Sequence, residues 1–327
     1  IRNSNLCAEI LEFSSPEETA VCTLGSISLP ACIRNGVFDY NSLYEVSRLM
    51  IRTLDRAIDV TIYPTPQSKR SNQRHRPVGL GIQGLASVFA ELGIAFDSPD
   101  ARLINRRVAE TMYFAALCES HALAEHSGPY PSIDENGGAP IRHGIFQQDM
   151  WESPPLPDAV LAWDWETLRT TIRRDGVRNS LLIAHMPTAT TSQLLGNTES
   201  FEPFMSHVYT RKTKMGEFFC YNRYLIRDLQ SRGLWPTLEN PQQGKAMMYE
   251  IFRQRGRIEQ IPGIPDAVKA THKTTLDLSL QALTEMARER AVYIDQSSSW
   301  SVYYPNQDNL MVRMTKYLCY AWKIGLK

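Results

Sequence analysis

The stretch Asn5-Leu6-Cys7-Ala8-Glu9-Ile10 places a thiol two residues from an amide on one side and two residues from a carboxylate on the other. In an extended or looped segment side chains alternate faces, so Asn5, Cys7 and Glu9 are expected to point the same way. A thiol, a neutral hydrogen-bonding amide and an acid/base facing one substrate suit chemistry on a polyol such as ribose. A lone cysteine is more often a small buried hydrophobe than a reagent. Here a second thiol follows in Ala20-Val21-Cys22-Thr23-Leu24-Gly25-Ser26, a short apolar run that reads as a buried strand.

Working outward from Cys22, strand-like and helix-like segments alternate. After a turn at Asn35-Gly36, residues 42–62 carry Leu43, Val46, Met50, Leu54, Ala57, Ile58 and Ile62 at helical spacing, and Pro64 and Pro66 end the pattern. Arg74-His75-Arg76-Pro77-Val78-Gly79-Leu80-Gly81-Ile82-Gln83-Gly84-Leu85 contains a literal G-x-G-x-x-G. A dinucleotide site would need a buried strand before it and an acidic residue about 20 positions on. Arg-His-Arg-Pro is no buried strand and Asp97 lies too near, so the glycines are read as close packing into a helix over 85–92. Long helices are expected over 99–126, with Cys118 on the apolar side as a structural thiol, over 275–290 and over 309–324. A surface helix is expected over 163–174, irregular chain over 127–141, and short strands over 181–184 and 293–297. Such alternation favours parallel strands with crossover helices, an α/β fold.

After Leu181-Leu182-Ile183-Ala184 comes Met186-Pro187-Thr188-Ala189-Thr190-Thr191-Ser192-Gln193, with four hydroxyls in residues 188–192. Free N–H groups at a helix start, with small hydroxylated side chains around them, can hold an anion such as a phosphate. Ser and Thr are equally the preferred caps of a helix that binds nothing. The residues alone leave both readings open.

Composition narrows the partners. The chain has 327 residues, 43% hydrophobic and 21% charged, with 35 basic and 35 acidic side chains. Zero formal net charge argues against general nucleic-acid binding, which needs a basic surface to neutralise phosphates. No uninterrupted apolar run of about 18 residues is present, so no membrane span is expected. Six cysteines without a C-x-x-C are too sparse for a disulfide scaffold and fit a reducing, cytoplasmic setting. Zinc is disfavoured because His121 and His126 are five apart, off the helical i, i+4 spacing.

The segments NLCAEI, VCTLGSISL, RPVGLGIQGL and PTATTSQLLGNTESFEP together resemble the large catalytic subunit of class I ribonucleotide reductases. Tyr209-Thr210-Arg211-Lys212 and Gly216-Glu217-Phe218 match that family as well. The resemblance implies the second half of a ten-stranded α/β barrel over residues 1–327, with a finger loop over 1–20 and half-barrel strands and helices over 21–327. It implies reduction of ribonucleoside diphosphates to the 2′-deoxy form by a thiyl radical on Cys7, with Asn5 and Glu9 at the ribose hydroxyls and Cys22 as one half of a reducing dithiol. Asn5, Leu6, Cys7, Ala8 and Glu9 would contact the ribose. Pro187, Thr188, Ala189, Thr190 and Thr191 would bind the diphosphate, Thr190 standing where Ser is more usual.

The same resemblance implies that no cofactor or metal is bound by this chain. The radical would come from a metal-containing small subunit, and thioredoxin or glutaredoxin would be the external reductant. A large-subunit homodimer is implied too. Tyr303-Tyr304 are rejected as the radical-transfer pair, which in the family follows the stretch matching Trp322-Lys323-Ile324-Gly325-Leu326-Lys327; they are expected as alternating strand aromatics. A chain whose chemistry starts five residues from Ile1 is expected to be a fragment or one piece of a split gene. The alternatives are a non-radical thiol redox protein using Cys7 and Cys22, for which a phosphate turn would be superfluous, and a non-catalytic nucleotide-binding regulatory subunit, for which Asn5, Cys7 and Glu9 would be.

Overall fold

The structure is a computed structural model describing residues 4–151, 163–304 and 309–326; Ile1 and Lys327 lie outside the described residues. Its regular strands form three two-stranded sheets. β1 (Thr23–Ser28) pairs in parallel with β4 (Val78–Gln83), Thr23 opposite Val78 and Ser28 opposite Gln83. β2 (Ile33–Arg34) and β3 (Val37–Phe38) form a small hairpin, and β5 (Val208–Thr213) and β6 (Gly216–Tyr221) a longer one.

The parallel layer continues beyond β4 through isolated bridges. Leu80 pairs in parallel with Ile183, and His185 with Ser298. The spatial order is therefore β1, β4, residues 182–185, residues 296–299. Each successive pair is joined by helical chain, as crossover connections require. α1 (Tyr40–Val60) and α2 (Pro66–His75) lie between β1 and β4. α3 (Leu85–Leu92), α4 (Pro99–Ser127) and α5 (Trp165–Asp175) lie between β4 and residue 182. α6 (Ala189–Leu194), α7 (Arg223–Ser231), α8 (Lys245–Arg253), α9 (Asp266–Thr271) and α10 (Leu280–Ala291) precede residue 296, and α11 (Leu310–Lys323) closes the order.

Local chemistry sets the helix ends. The Asp39 carboxylate accepts the N–H groups of Asn41 and Ser42 and starts α1, Ser98 does the same for α4 at Ala101, and Ser279 for α10 at Ala282. Each such cap contributes about 1 kcal/mol. Alternation along the strands then divides two faces. Gly25, Ile27, Leu80, Ile82 and Ile183 turn toward the helices, where a Cβ on Gly25 would strike Met50 and Leu54 of α1. Leu80 and Ile82 pack there with Leu43, Ile51, Ile58, Val108 and Met112 in the main core. The other face carries Cys22, Leu24, Gly79, Gly81, Ala184 and Met186, and the two glycines keep it low: a Cβ on Gly79 would lie 3.1 Å from Cys22 Sγ, and one on Gly81 would lie 2.6 Å from Met186 Sδ. The G-x-G-x-x-G thus serves packing, and Gly84, at φ +85° ahead of α3, meets Pro30.

Several expectations shift. The helix expected over 275–290 begins only at Leu280, because Thr274 and Asp277 form a side-chain-closed turn. No regular strand forms over 293–297: Tyr293 and Ile294 close a turn onto Arg290 and Ala291, and the extended chain pairs only through a single bridge at Ser298. Residues 181–184 likewise pair by bridges. Tyr303 and Tyr304 lie in irregular chain, the Tyr304 ring edge-on to Tyr317. α2 and the β5–β6 hairpin carry too little apolar periodicity to stand out in the sequence. Leu225, Leu229, Trp235, Ile251, Ile258, Ile261, Ile264 and Val268 form a second, smaller core under α7–α9.

Candidate active site

The first segment folds as a turn and not as extended chain. Ala8 sits at φ +64° and its N–H donates to the Asn5 carbonyl at 3.2 Å. Of the extended and looped forms expected for Asn5, Cys7 and Glu9, the chain takes the looped one, and the Asn5 side chain ties its ends. Asn5 Oδ1 accepts the Ile10 N–H at 3.2 Å and Asn5 Nδ2 donates to Glu9 Oε1 at 2.7 Å. Cys7 is half-buried between them, and Leu6 is fully exposed at the tip. Glu9 is 3% exposed, and its second oxygen, Oε2, has no hydrogen-bond partner. A buried carboxylate oxygen left open in this way is costly unless a further group completes it.

Two anchors fix this segment to the body. The buried Glu18 carboxylate bonds Arg74 and His75 at the end of α2, the latter at 2.7 Å. Burial pushes the Glu18 carboxyl up, but the His75 and Arg74 bonds outweigh it and hold it below its ordinary value. At the other anchor the Ser297 N–H donates to the Glu9 carbonyl at 3.0 Å.

The segment 295–299 joins the site together. The Asp295 carboxylate accepts the N–H groups of Leu182 and Ile183, each at 2.8 Å, and the Gln296 N–H donates to the Ile183 carbonyl. The fully buried Gln296 side chain then reaches three separate segments: Oε1 accepts the Leu11 N–H at 3.0 Å, while Nε2 lies 3.1 Å from the Val78 carbonyl and 3.6 Å from Cys22 Sγ, just ahead of β1. One residue apart, Gln296 holds Cys22 and Ser297 holds Glu9. Burial pushes the Cys22 thiol well above its ordinary range, and the Glu12 carboxyl and Asp295 push it further.

The turn after residue 186 supports α6, a helix of six residues whose first turn has no side-chain cap. Pro187, Ala189, Thr190 and Thr191 are exposed. Thr188 is buried and spent on the fold: its hydroxyl accepts the Ser200 N–H at 2.8 Å, and its carbonyl takes the Ser192 N–H at 2.8 Å. Gln83 donates to Ser26 Oγ at 2.9 Å and Asn197 to Ser28 Oγ at 2.8 Å, so a polar band lies on the Cys22 face toward the end of the strands where this turn begins. A cavity of about 1050 Å³ lies between the start of the strands and α4, α10 and α11, lined by Leu11, Arg102, Glu285, Asp295 and others, and includes neither Cys7 nor the turn.

Gln296 and Glu12 escaped the sequence reading. A glutamine before three serines and a glutamate three residues past Glu9 carry no motif, and burial alone marks them. His121 has Asp175 and Glu125 for neighbours, not His126; Asp175 is bonded to His121 and to Arg174. No helix among the described residues is long and apolar enough to cross a membrane.

The parallel α/β layer that follows Cys22 belongs to a recognised class. A family model described as ribonucleotide reductase, barrel domain, matches residues 1–327, and the chain belongs to that family. It is 41% identical over 348 residues to the ribonucleoside-diphosphate reductase large subunit of Arabidopsis thaliana, 43% over 329 residues to the large chain of Neurospora crassa and 42% over 330 residues to the large subunit of Danio rerio. These alignments cover 100% of this chain but 40%, 34% and 39% of the respective relatives, so the chain spans at most about two fifths of their length.

Proposed function

We propose that the chain forms the radical-bearing part of a ribonucleoside-diphosphate reductase large subunit, a soluble cytoplasmic enzyme making deoxyribonucleotides for DNA synthesis. Its strands would form the second half of a ten-stranded barrel. The observation that carries the reading is the closed Asn5–Glu9 turn, with Cys7 half-buried within it and Glu9 Oε2 buried and open. Cys7, converted to a thiyl by a metal-containing small subunit, takes the 3′-hydrogen of the ribose. Glu9 accepts the 3′-hydroxyl proton through its open oxygen, a transfer that needs hydrogen-bond contact. The Asn5 amide, which can donate and accept, holds a ribose hydroxyl. Cys22 and a second thiol supply two electrons, end as a disulfide and are reset by thioredoxin or glutaredoxin. Leu6 and Ala8 border the ribose, and Pro187, Thr188, Ala189, Thr190 and Thr191 receive the diphosphate at the uncapped start of α6. Thr188 contributes there through backbone, since its hydroxyl is engaged. The large subunit works as a homodimer.

A non-radical thiol oxidoreductase would have no use for the open Glu9 oxygen or for the hydroxyl-rich turn. In the complete subunit, assayed with the small subunit and a dithiol reductant, Cys7→Ser is expected to reduce deoxynucleotide formation to background while circular dichroism is unchanged. Turnover surviving that change would end the radical assignment.

A further inference from the structure

Glu12 is 6% exposed and neither of its carboxyl oxygens has a hydrogen-bond partner. Gln296 ties its segment to the thiol: Oε1 accepts the N–H of Leu11, the residue before Glu12, at 3.0 Å, and Nε2 lies 3.6 Å from Cys22 Sγ. The Glu12 carboxyl and the Cys22 thiol each shift the other's protonation. A buried acid with both oxygens open demands an explanation, and no backbone group or cation supplies one. Its neighbour Cys22 has the complementary problem. A thiol pushed far up by burial and by the carboxylates Glu12 and Asp295 forms little thiolate, yet disulfide formation requires the sulfur to lose its proton.

We propose that Glu12 is the proton acceptor of the Cys22 thiol, and that Gln296 is the positioning residue that holds acid and sulfur in contact. When Cys22 attacks a disulfide, its S–H bond breaks, the proton passes to a Glu12 oxygen, a new S–S bond forms and the departing thiolate recovers the proton. Charge is never isolated in the buried site, because one negative charge moves between carboxylate and sulfur. Burial outweighs the Cys22 and Gln296 contacts and pushes the Glu12 carboxyl up to about 7, which makes it a stronger base than an exposed glutamate near neutral pH. Gln296, bonded also to the Leu11 N–H and the Val78 carbonyl, fixes both the Glu12 segment and the Cys22 strand. Within the reductase reading, on which this use of the pair rests, Cys22 and a second cysteine thiol give up two electrons and two protons. The ribose C2′–O bond is replaced by C–H, the oxygen leaves as water, and Glu12 carries one of the protons.

The test uses no nucleotide. The complete protein is treated with 4,4′-dithiodipyridine, a neutral disulfide, across pH 5.5–9 (a range of about two units either side of a carboxyl near 7), and modification of Cys22 is followed by peptide mass spectrometry. The native rate should inflect near 7, where Glu12 becomes a base. Glu12→Gln should erase that inflection and slow Cys22 at least about ten-fold at the alkaline end, the size of a lost general base at its lower bound or below. Glu12→Asp, which keeps the acid, should retain an inflection with an intermediate rate and decides the matter should the glutamine variant fail to fold. Faster or unchanged modification in Glu12→Gln, or no inflection in Glu12→Asp, would overturn the proposal, since Glu12 would then only repel the thiolate. A Glu12-dependent inflection in a protein that reduces no ribonucleotide would instead remove the reductase reading and leave the acid–thiol pair standing.

Discussion

The finger turn and the hydroxyl-rich turn are short irregular stretches of similar kind, yet they satisfy their polar groups in opposite ways. In the first, side chains close the loop and leave carboxyl oxygens of Glu9 and Glu12 buried and open. In the second, the buried Thr188 hydroxyl is consumed by the Ser200 backbone while Thr190 and Thr191 face outward. Only Ser192, whose buried hydroxyl has no partner, breaks that pattern. Open buried valences are costly wherever they occur. Exposed hydroxyls and uncapped amides cost little and suit reversible holding of an anion.

The sharpest break in this comparison would come from Glu9→Gln. The amide keeps the shape and can still meet Asn5, but it cannot accept a proton. Turnover in the complete subunit should fall roughly 10²–10⁴-fold, the usual worth of a positioned base. A loss below a few-fold, measured as kcat with KM unchanged, would place the chemistry elsewhere.

A smaller effect is expected at the other turn. Thr191→Asp sets a negative charge where the diphosphate is proposed to bind, and KM should rise about ten-fold with kcat held, equivalent to about 1.4 kcal/mol of repulsion. Because the position is exposed, added salt should shrink the difference. Equal KM values at low salt would remove the diphosphate from this turn.

The smallest effects concern stability, and the two regions should respond to pH with opposite sign. His185, on the strand that leads to the second turn, is buried without a partner on either ring nitrogen, and burial, with the Arg290 charge, lowers it to about 3. The unfolded chain then binds a proton below about 6.5 that the native chain refuses, so stability falls with decreasing pH from there toward 3, by at most about 1.4 kcal/mol per unit. Glu12, raised to about 7, behaves in reverse: the unfolded carboxyl ionises from about 4.5 while the native one stays protonated, so stability falls as pH rises from there toward 7. Thermal midpoints should lose part of their decline below about pH 6.5 in His185→Leu and part of their decline between about pH 4.5 and 7 in Glu12→Gln. Identical pH profiles in either variant and the native protein would contradict the corresponding burial.

The sequence by itself determined the α/β class, the main helices and the family. Those signals are local: the apolar spacing of Leu43, Leu54 and Ile58 along α1, and the short motifs around Cys7, Cys22 and Thr188. It left residues 5–9 open between extended and looped chain, and the Asn5 side chain, bonding Glu9 and Ile10, closes them as a turn. Only the tertiary structure decided that 295–299 would join the site as an irregular segment, with Gln296 reaching Leu11, Val78 and Cys22 at once. Contacts between residues hundreds of positions apart leave no period in the chain. Only burial, which is a property of the assembled layers, turned Glu12 from an ordinary glutamate into an acid titrating near neutrality beside a thiol.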